Sequence, residues 1–310
     1  MSCCVIGGGG FIGQHLVQVL VSQGKSVIVV DLNRQCLVGV PSGVKYFTGN
    51  YGDRSFLYNI LKDVDEVIDL AYASVPKTSF DDPIQDILSN LPPAINLFEI
   101  ASGLKIKRIV VVSSGGTIYG KAVNLPISEN HPTNPISPYG ITKLAIEKYA
   151  QMYHMLKGLP VVFVRPANAF GEGQKPFIAQ GFIATAIASA LTGCEINLFG
   201  EQGTIRDYIY VRDVVSGIIA ALEHGRTGES YNIGSGIGRS NRKILEMIES
   251  MAKLEGIELH VKILQPRKYD VPANILNSSK LQNETGWFPT VSFIKGLELT
   301  WKHFKEHYNQ

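Results

Sequence analysis

The sequence predicts an α/β fold, a doubly wound parallel sheet with a smaller C-terminal α/β lobe. In the first half of the 310 residues, short β-branched apolar runs alternate with helical patterns. That order is typical of a parallel sheet with helices on both faces. The strand-like runs are apolar throughout, which indicates strands buried on both sides. After about Arg165 the alternation fades and the loops become richer in Gly, Pro and Asn, which indicates a second lobe.

The predicted elements follow in chain order. Strands are predicted at Cys3–Ile6, Ser26–Val30, Val67–Leu70, Arg108–Val112 and Leu159–Val164. Helices are predicted at Ile12–Ser22, Phe56–Leu61, Ile87–Ser102, Pro138–Leu156, Asn241–Leu254 and Ile294–Tyr308. We therefore assign residues 1–165 to the sheet domain and residues 166–310 mainly to the second lobe, from which some segments return to the sheet.

Composition excludes several classes of protein. The chain is 45% hydrophobic and 18% charged with a formal charge of +2, which is typical of a globular protein and gives no reason to expect a nucleic-acid partner. No apolar stretch reaches the roughly 18 residues that span a bilayer. The cysteines Cys3, Cys4, Cys36 and Cys194 show neither a CxxC pair nor metal-ligand spacing. This usage favours a reducing compartment without a metal site, so we expect a cytoplasmic protein.

A glycine loop follows the first predicted strand. The segment VIGGGGFIG places Gly7, Gly10 and Gly13 at the start of a helix. In a dinucleotide-binding loop the first glycine allows a tight turn and the second lets the backbone approach the pyrophosphate. The third lets the helix pack closely on the sheet, and the helix N-terminus donates N–H groups to the phosphates. A flexible loop is the alternative, but the flanking strand and helix are the context that the motif requires. We therefore predict a Rossmann-type domain.

An acid at the end of the second strand selects the cofactor. Asp31 follows the run VIVV, where a carboxylate accepts hydrogen bonds from the ribose hydroxyls and repels a 2′-phosphate. The sequence therefore favours NAD over NADP. Arg34 could soften that preference, although a solvent-exposed arginine is the simpler interpretation. Asn50 and Tyr51 follow the third β-like run, where the adenine would lie.

A tyrosine and a lysine share one helix face. Ser137 and Pro138 mark a helix start, and Tyr139 and Lys143 are four residues apart. An ammonium group near a phenol favours the phenolate, which lowers the tyrosine pKa and suits it to proton exchange. A structural tyrosine beside a surface lysine is the alternative. The dinucleotide loop in the same chain favours the catalytic interpretation.

Over nearly its whole length the chain resembles the extended short-chain dehydrogenase/reductase superfamily, in its NAD-dependent nucleotide-sugar epimerase/dehydratase branch, and in particular the UDP-glucose 4-epimerases. The segments that carry this resemblance are the glycine loop, SSGGTIYG from Ser113, the Tyr139–Lys143 pair, RPAN from Arg165, RDYIYV from Arg206, YNIGSG from Tyr231, and Pro266-Arg267 with Asp270.

The resemblance implies a role for each matching residue. Tyr139 is the acid/base for a sugar hydroxyl, Lys143 holds the nicotinamide ribose and tunes Tyr139, and the second lobe binds substrate. The implied NAD-binding residues are Gly7, Gly10, Phe11, Ile12, Gly13, Asp31, Asn33, Asn50, Tyr51, Leu70, Ala71, Tyr72, Asn90, Ser113, Tyr139, Lys143 and Pro166. The implied substrate-binding residues are Gly115, Thr117, Asn168, Arg206, Arg267, Asp270 and Asn274. For Arg206 the alternative is a surface salt bridge with its neighbour Asp207.

One position departs from the family pattern. Gly115 stands where the family usually has a serine or threonine whose hydroxyl shares the reacting oxygen with the tyrosine. Either Ser114 or Thr117 supplies that hydroxyl, or Tyr139 works without it, and we favour Thr117. The segment also lacks the Asp-Glu pair of the family's dehydratases, which disfavours dehydration.

The expected function is 4-epimerisation of UDP-glucose and UDP-galactose through a 4-keto intermediate. Asn274, small where the family has a tyrosine beside the sugar, extends this expectation to N-acetylamino sugars, although a loop asparagine satisfying the backbone is an equal alternative. A reductase of nucleotide-activated (dTDP or GDP) 4-keto-6-deoxysugars using NAD(P)H shares every motif. A catalytically silent dinucleotide-binding sensor is a third interpretation, which the intact Tyr139–Lys143 pair disfavours. The resemblance also implies a homodimer formed through a bundle that includes Ile87–Ser102 and Pro138–Leu156.

Overall fold

The structure is a computed structural model that describes residues 1–32, 41–178, 180–267 and 270–308. The strands are β1 Ser2–Ile6, β2 Ser26–Asp31, β3 Lys45–Thr48, β4 Glu66–Asp69, β5 Arg108–Val112, β6 Val161–Pro166, β7 Asn168–Phe170, β8 Ile196–Phe199, β9 Ile205–Tyr210, β10 Ser230–Ile233, β11 Gly238–Ser240, β12 Val261–Leu264 and β13 Ala273–Asn274. The helices are α1 Phe11–Ser22, α2 Arg54–Leu61, α3 Thr78–Asp81, α4 Pro83–Gly103, α5 Pro138–Lys157, α6 Phe182–Thr192, α7 Val211–His224, α8 Asn241–Lys253, α9 Ser279–Thr285 and α10 Phe293–Tyr308.

The main sheet has seven strands in the order β10-β6-β5-β4-β1-β2-β3. Every neighbouring pair in it is parallel, which confirms the predicted doubly wound α/β fold. Strands β4 and β6 are buried along their whole length, because helices cover both faces. The strand order reverses beside β1, and in such sheets ligands bind at the carboxyl ends near that point.

The second lobe is built around β9. In a small sheet β9 pairs with β7, β11 and β13, while β8 pairs with β12 separately. The chain returns from this lobe to the main sheet through α7 and through β10, which pairs with β6. Three apolar clusters fill the molecule, one on each face of the main sheet and one within the lobe.

The predicted helices and strands are present with ends shifted by a few residues at most. Sequence reasoning missed α6 and α7. In α6 the apolar residues surround most of the helix instead of forming one stripe. Asn33, Arg34 and Cys36 lie outside the described residues. Among the described helices, none combines the length and apolarity needed to cross a bilayer.

Candidate active site

A cleft of about 1400 Å³ lies at the carboxyl ends of the main-sheet strands. It is larger than a pocket for one drug-sized molecule, which holds about 300–1000 Å³. The predicted site residues that line it are Gly7, Gly10, Phe11, Ile12, Gly13, Leu70, Tyr72, Ser113, Ser114, Thr117, Tyr139, Lys143, Pro166, Asn168, Arg206, Arg267 and Asp270. The other described ones, which are not part of this lining, are Asp31, Asn50, Tyr51, Ala71, Asn90, Gly115 and Asn274.

The glycine loop has the shape that a dinucleotide requires. Gly7 has a φ of +77°, and a Cβ added there would lie 2.9 Å from the Ala71 nitrogen. A Cβ on Gly13 would lie 2.5 Å from the Gly7 carbonyl oxygen, so only glycine lets α1 start this close to β1. Gly10 is the N-cap of α1 and has no side chain to cap the first N–H groups. Those donors can therefore bind phosphate oxygens.

Asp31 ends β2 next to this loop, and its Oδ2 accepts a hydrogen bond of 3.0 Å from the Gly9 N–H. The contact fixes the carboxylate at the edge where the adenosine ribose of a dinucleotide lies. The residues present therefore fit NAD.

The remaining predicted cofactor residues shape the wall instead of facing the cleft. Asn90 is buried; its Oδ1 accepts from Ala73 N–H at 2.7 Å and its Nδ2 donates to the Asp86 carbonyl at 2.7 Å. It thereby holds the loop that follows β4. Asn50 accepts a hydrogen bond from Gly52 N–H at 2.8 Å, and half-buried Tyr51 packs against the core beside Ala71 and Tyr72.

The first turns of α5 place Tyr139 and Lys143 in the cleft. Ser137 caps the helix by accepting from Gly140 N–H at 3.1 Å. Lys143 is 6% exposed, and its Nζ donates to the Val112 carbonyl at 2.8 Å. Burial lowers the pKa of Lys143 to about 8, opposed by the negative charges of Asp69, Glu147 and Asp86. At neutral pH the ammonium form therefore prevails.

Ser114 is the hydroxyl residue that hydrogen-bonds to Tyr139 in the structure. Burial raises the pKa of Tyr139 to about 12, and a hydrogen bond from Ser114 opposes this rise. The Thr117 Oγ1 is buried without a hydrogen-bond partner among the described residues. The geometry therefore favours Ser114 over our preferred Thr117, because the turn after β5 directs Ser114 towards Tyr139. Thr117 still lines the cleft, where its free hydroxyl and that of Ser113 can bind a ligand.

Gly115 and Asn274 form one contact behind the cleft. A Cβ on Gly115 would lie 2.4 Å from Leu276 Cδ1 and 2.8 Å from the Arg165 carbonyl oxygen, which explains the missing side chain. Asn274 is 1% exposed and donates from Nδ2 to the Gly115 carbonyl at 3.0 Å. Its Oδ1 has no hydrogen-bond partner in the described chain. Asn274 thus supports the Gly115 loop from behind the residues that line the cleft.

Arg206 and Arg267 lie in the cleft wall from the second lobe. Arg206 Nη1 donates to the carbonyls of Ile205 and Val271, each at 2.8 Å. It forms no ion pair with Asp207, because adjacent residues of β9 point to opposite faces. Asp207 instead accepts from Ser235. The Arg267 guanidinium stacks on the Phe199 ring at 3.5 Å.

The sequence analysis missed several polar residues that line the cleft or lie directly behind its wall. Gln174 and Lys175 line it, and the Gln174 Oε1 is buried without a partner in the part of the chain described. Their position in a glycine-rich loop soon after the RPAN segment is the sequence feature that could have identified them. Ser74 and Asp86, which contact each other beside Tyr72, gave no local signal, because their proximity is set by the packing of α4 against the strand ends.

Several known proteins resemble this chain in sequence or in structure. A UDP-glucose 4-epimerase from Halalkalibacterium halodurans is 34% identical over 327 residues, covering 99% of this chain and 96% of the relative. The crystal structure of a Thermotoga maritima UDP-glucose 4-epimerase with UDP-glucose matches with a TM-score of 0.93 at 32% identity, covering 99% of both chains. A UDP-N-acetyl-alpha-D-glucosaminuronate decarboxylase from Bacillus cytotoxicus is 30% identical over 320 residues, covering 98% of both. These likenesses do not fix one reaction.

The family model described as the NAD dependent epimerase/dehydratase family matches residues 3–234. This match covers the glycine loop, the Tyr139–Lys143 pair and all seven strands of the main sheet. The chain belongs to the NAD-dependent epimerase/dehydratase family.

Proposed function

We propose that this protein is a 4-epimerase that interconverts UDP-glucose and UDP-galactose. The observation that carries the proposal is the convergence of Tyr139, Lys143 and Ser114 in one cleft with a glycine loop shaped for a dinucleotide. The epimerases among its relatives support the choice of reaction. Gly116 and Thr117, which follow Gly115, supply no acid–base pair of the kind that elimination of water requires.

In the proposed mechanism Tyr139 removes the proton from the sugar 4-hydroxyl and later returns it. Bound NAD supplies the hydride acceptor and donor for C4. Lys143 stabilises the phenolate with its positive charge, and the Ser114 hydroxyl hydrogen-bonds to the same oxygen. Because both residues are buried, their interaction is screened only weakly by water.

Epimerisation also requires the 4-keto sugar to turn over without leaving. Arg206 and Arg267 suit this task, because guanidinium groups bind phosphate oxygens with a fixed geometry. Asn168, at the start of β7, lines the same cleft and can serve as a polar contact for the sugar. Anchoring the diphosphate keeps the sugar near Tyr139 while leaving it free to rotate.

The decisive experiment is incubation of the purified protein with UDP- and dTDP-sugars, with and without NADH, followed by product analysis. An epimerase carries tightly bound NAD and converts UDP-glucose without added reductant. Strict dependence on NADH with a 4-keto-6-deoxysugar would instead identify a reductase. Absence of turnover on the whole panel would favour a dinucleotide-binding sensor.

The same panel tests whether N-acetylamino sugars are substrates. Asn274 lies behind the cleft lining, and its amide holds the Gly115 loop. A larger residue there would push this loop into the cleft, so we expect that the small asparagine leaves room for a 2-acetamido group. Asn274→Tyr should then abolish the UDP-GlcNAc to UDP-GalNAc reaction selectively. Equal loss of both activities would mean that Asn274 acts only by holding Gly115 in place.

A further inference from the structure

We propose that Tyr72 is a positioning residue that couples the buried carboxylate of Asp86 to the ammonium group of Lys143. The inference rests on the proposed function, since it concerns the same acid–base couple. Its test measures Lys143 directly and needs no turnover.

The Tyr72 ring contacts both members of the couple. Its centroid lies 4.6 Å from that of Tyr139, edge to face at 61°. Lys143 Nζ lies 4.3 Å from the same centroid, over the ring face. The Tyr72 hydroxyl reaches the backbone carbonyl of Tyr139 at 3.3 Å. Tyr72 therefore fixes Lys143 and Tyr139 relative to each other.

Behind Tyr72 lies an acid without a cationic partner. Asp86 is 2% exposed and accepts hydrogen bonds from the hydroxyls of Tyr72 at 3.3 Å, of Thr142 at 2.7 Å and of Ser74. It forms no ion pair within the described ranges of the chain. A buried carboxylate satisfied only by hydroxyls keeps its field in the low-dielectric interior.

The ring transmits part of that field. A phenol that donates to a carboxylate becomes more negative, since hydrogen-bonded groups polarise one another. A more negative ring face attracts a cation more strongly. The negative charge of Asp86 thus polarises the Tyr72 ring, and the positive charge of Lys143 lies over the face of that ring.

Two other acids face Lys143. Asp69 ends β4, and Glu147 lies one helical turn after Lys143 on α5. Glu147 is already paired with Arg165 from β6 at 2.6 Å, so less of its charge acts on Lys143. Tyr72 is a further titratable neighbour, with Lys143 Nζ 4.3 Å from its ring centroid. Burial lowers the pKa of Lys143 to about 8, although these acids oppose the change. The pKa therefore lies only slightly above neutral pH, and a small further decrease would deprotonate much of the amine.

The test is competitive acetylation with acetic anhydride, which modifies only the neutral amine, quantified for Lys143 by mass spectrometry across pH. In Asp86→Asn and Tyr72→Leu the ammonium loses stabilisation, so the pKa of Lys143 falls and more neutral amine is present. We expect Lys143 to be acetylated about threefold to tenfold faster at neutral pH, the effect of losing a desolvated cation–π contact. Tyr72→Phe keeps the ring but removes the hydroxyl that contacts Asp86, so acetylation of Lys143 should become about twofold faster.

Tyr58→Phe is the matched control, because Tyr58 is an exposed tyrosine on α2 outside the cleft, and it should leave the rate unchanged. Circular dichroism verifies folding, and Tyr72→Phe decides if either other variant fails to fold. Unchanged or slower acetylation of Lys143 in the folded variants overturns the proposal. A wild type that epimerises no sugar, with the acetylation shifts as expected, refutes the proposed function and leaves the coupling intact.

Discussion

The Tyr139 hydroxyl is buried, and burial raises its pKa to about 12 while a hydrogen bond from Ser114 opposes this rise. Because this hydroxyl is the proposed acid/base, its loss should lower turnover and leave the other properties of the protein unchanged. We expect Tyr139→Phe to lower turnover by about 10²-fold or more while leaving folding and NAD content intact. Product formation and the absorbance of released NAD measure the two effects. Near wild-type turnover would exclude Tyr139 as the acid/base.

Ser114 and Thr117 provide a matched pair of hydroxyls in one turn. Ser114 contacts Tyr139, and Thr117 has no hydrogen-bond partner in the described chain. We expect Ser114→Ala to lower turnover about tenfold, the typical worth of a hydrogen bond to a charged group. Thr117→Val, which keeps the volume, should have a smaller effect on turnover. The reverse order of effects would reinstate Thr117 as the partner of Tyr139.

At the scale of elements, we expect the end of β2 to determine the choice between NAD and NADP. Asp31 is held by the Gly9 N–H, so its charge remains where a 2′-phosphate would lie. We expect the protein to bind NAD more tightly than NADP, and Asp31→Ser to narrow the gap by about tenfold, equal to about 1.4 kcal/mol. Calorimetric titration measures both affinities. Asp63→Ser, which removes an exposed charge elsewhere, is the control, and a wild type that prefers NADP would contradict the assignment.

The helices, strands and loops also show how much of the structure could be predicted from the sequence. The strands, the glycine loop and the Tyr139–Lys143 spacing are local patterns, and the structure places them as expected. The partner of Tyr139 is not local: Gly115 is confined by Leu276, and the loop is held by Asn274, 159 residues away along the chain. Asp86 likewise meets Tyr72 only through the packing of α4. Such pairings depend on tertiary contacts that no window of sequence contains.

For the whole molecule, the outer faces of α4 and α5 predict a homodimer. These helices pack together and expose apolar side chains. The exposed fractions are 70% for Ile84 and 58% for Leu88 on α4, and 70% for Met155 on α5. A second copy with the same face would cover them. We expect the wild type to sediment as a dimer and Ile84→Glu with Leu88→Glu to sediment as a monomer. Leu254→Glu, at a side chain 89% exposed at the end of α8, should remain dimeric; a monomeric wild type would contradict the prediction.

The return of the chain from the second lobe to the main sheet restricts how the cleft can open. After β9 the chain enters α7 and β10 against the main sheet, and then goes back to β11 and α8. Later α9 packs on α7 and β10, and α10 packs on α6. A hinge between two halves requires few covalent crossings, whereas here several crossings tie the halves together. We therefore expect ligands to enter and leave the cleft by movement of the loops at its mouth. A chimera that exchanges only residues after 165 would replace β10, one of the two native neighbours of β6.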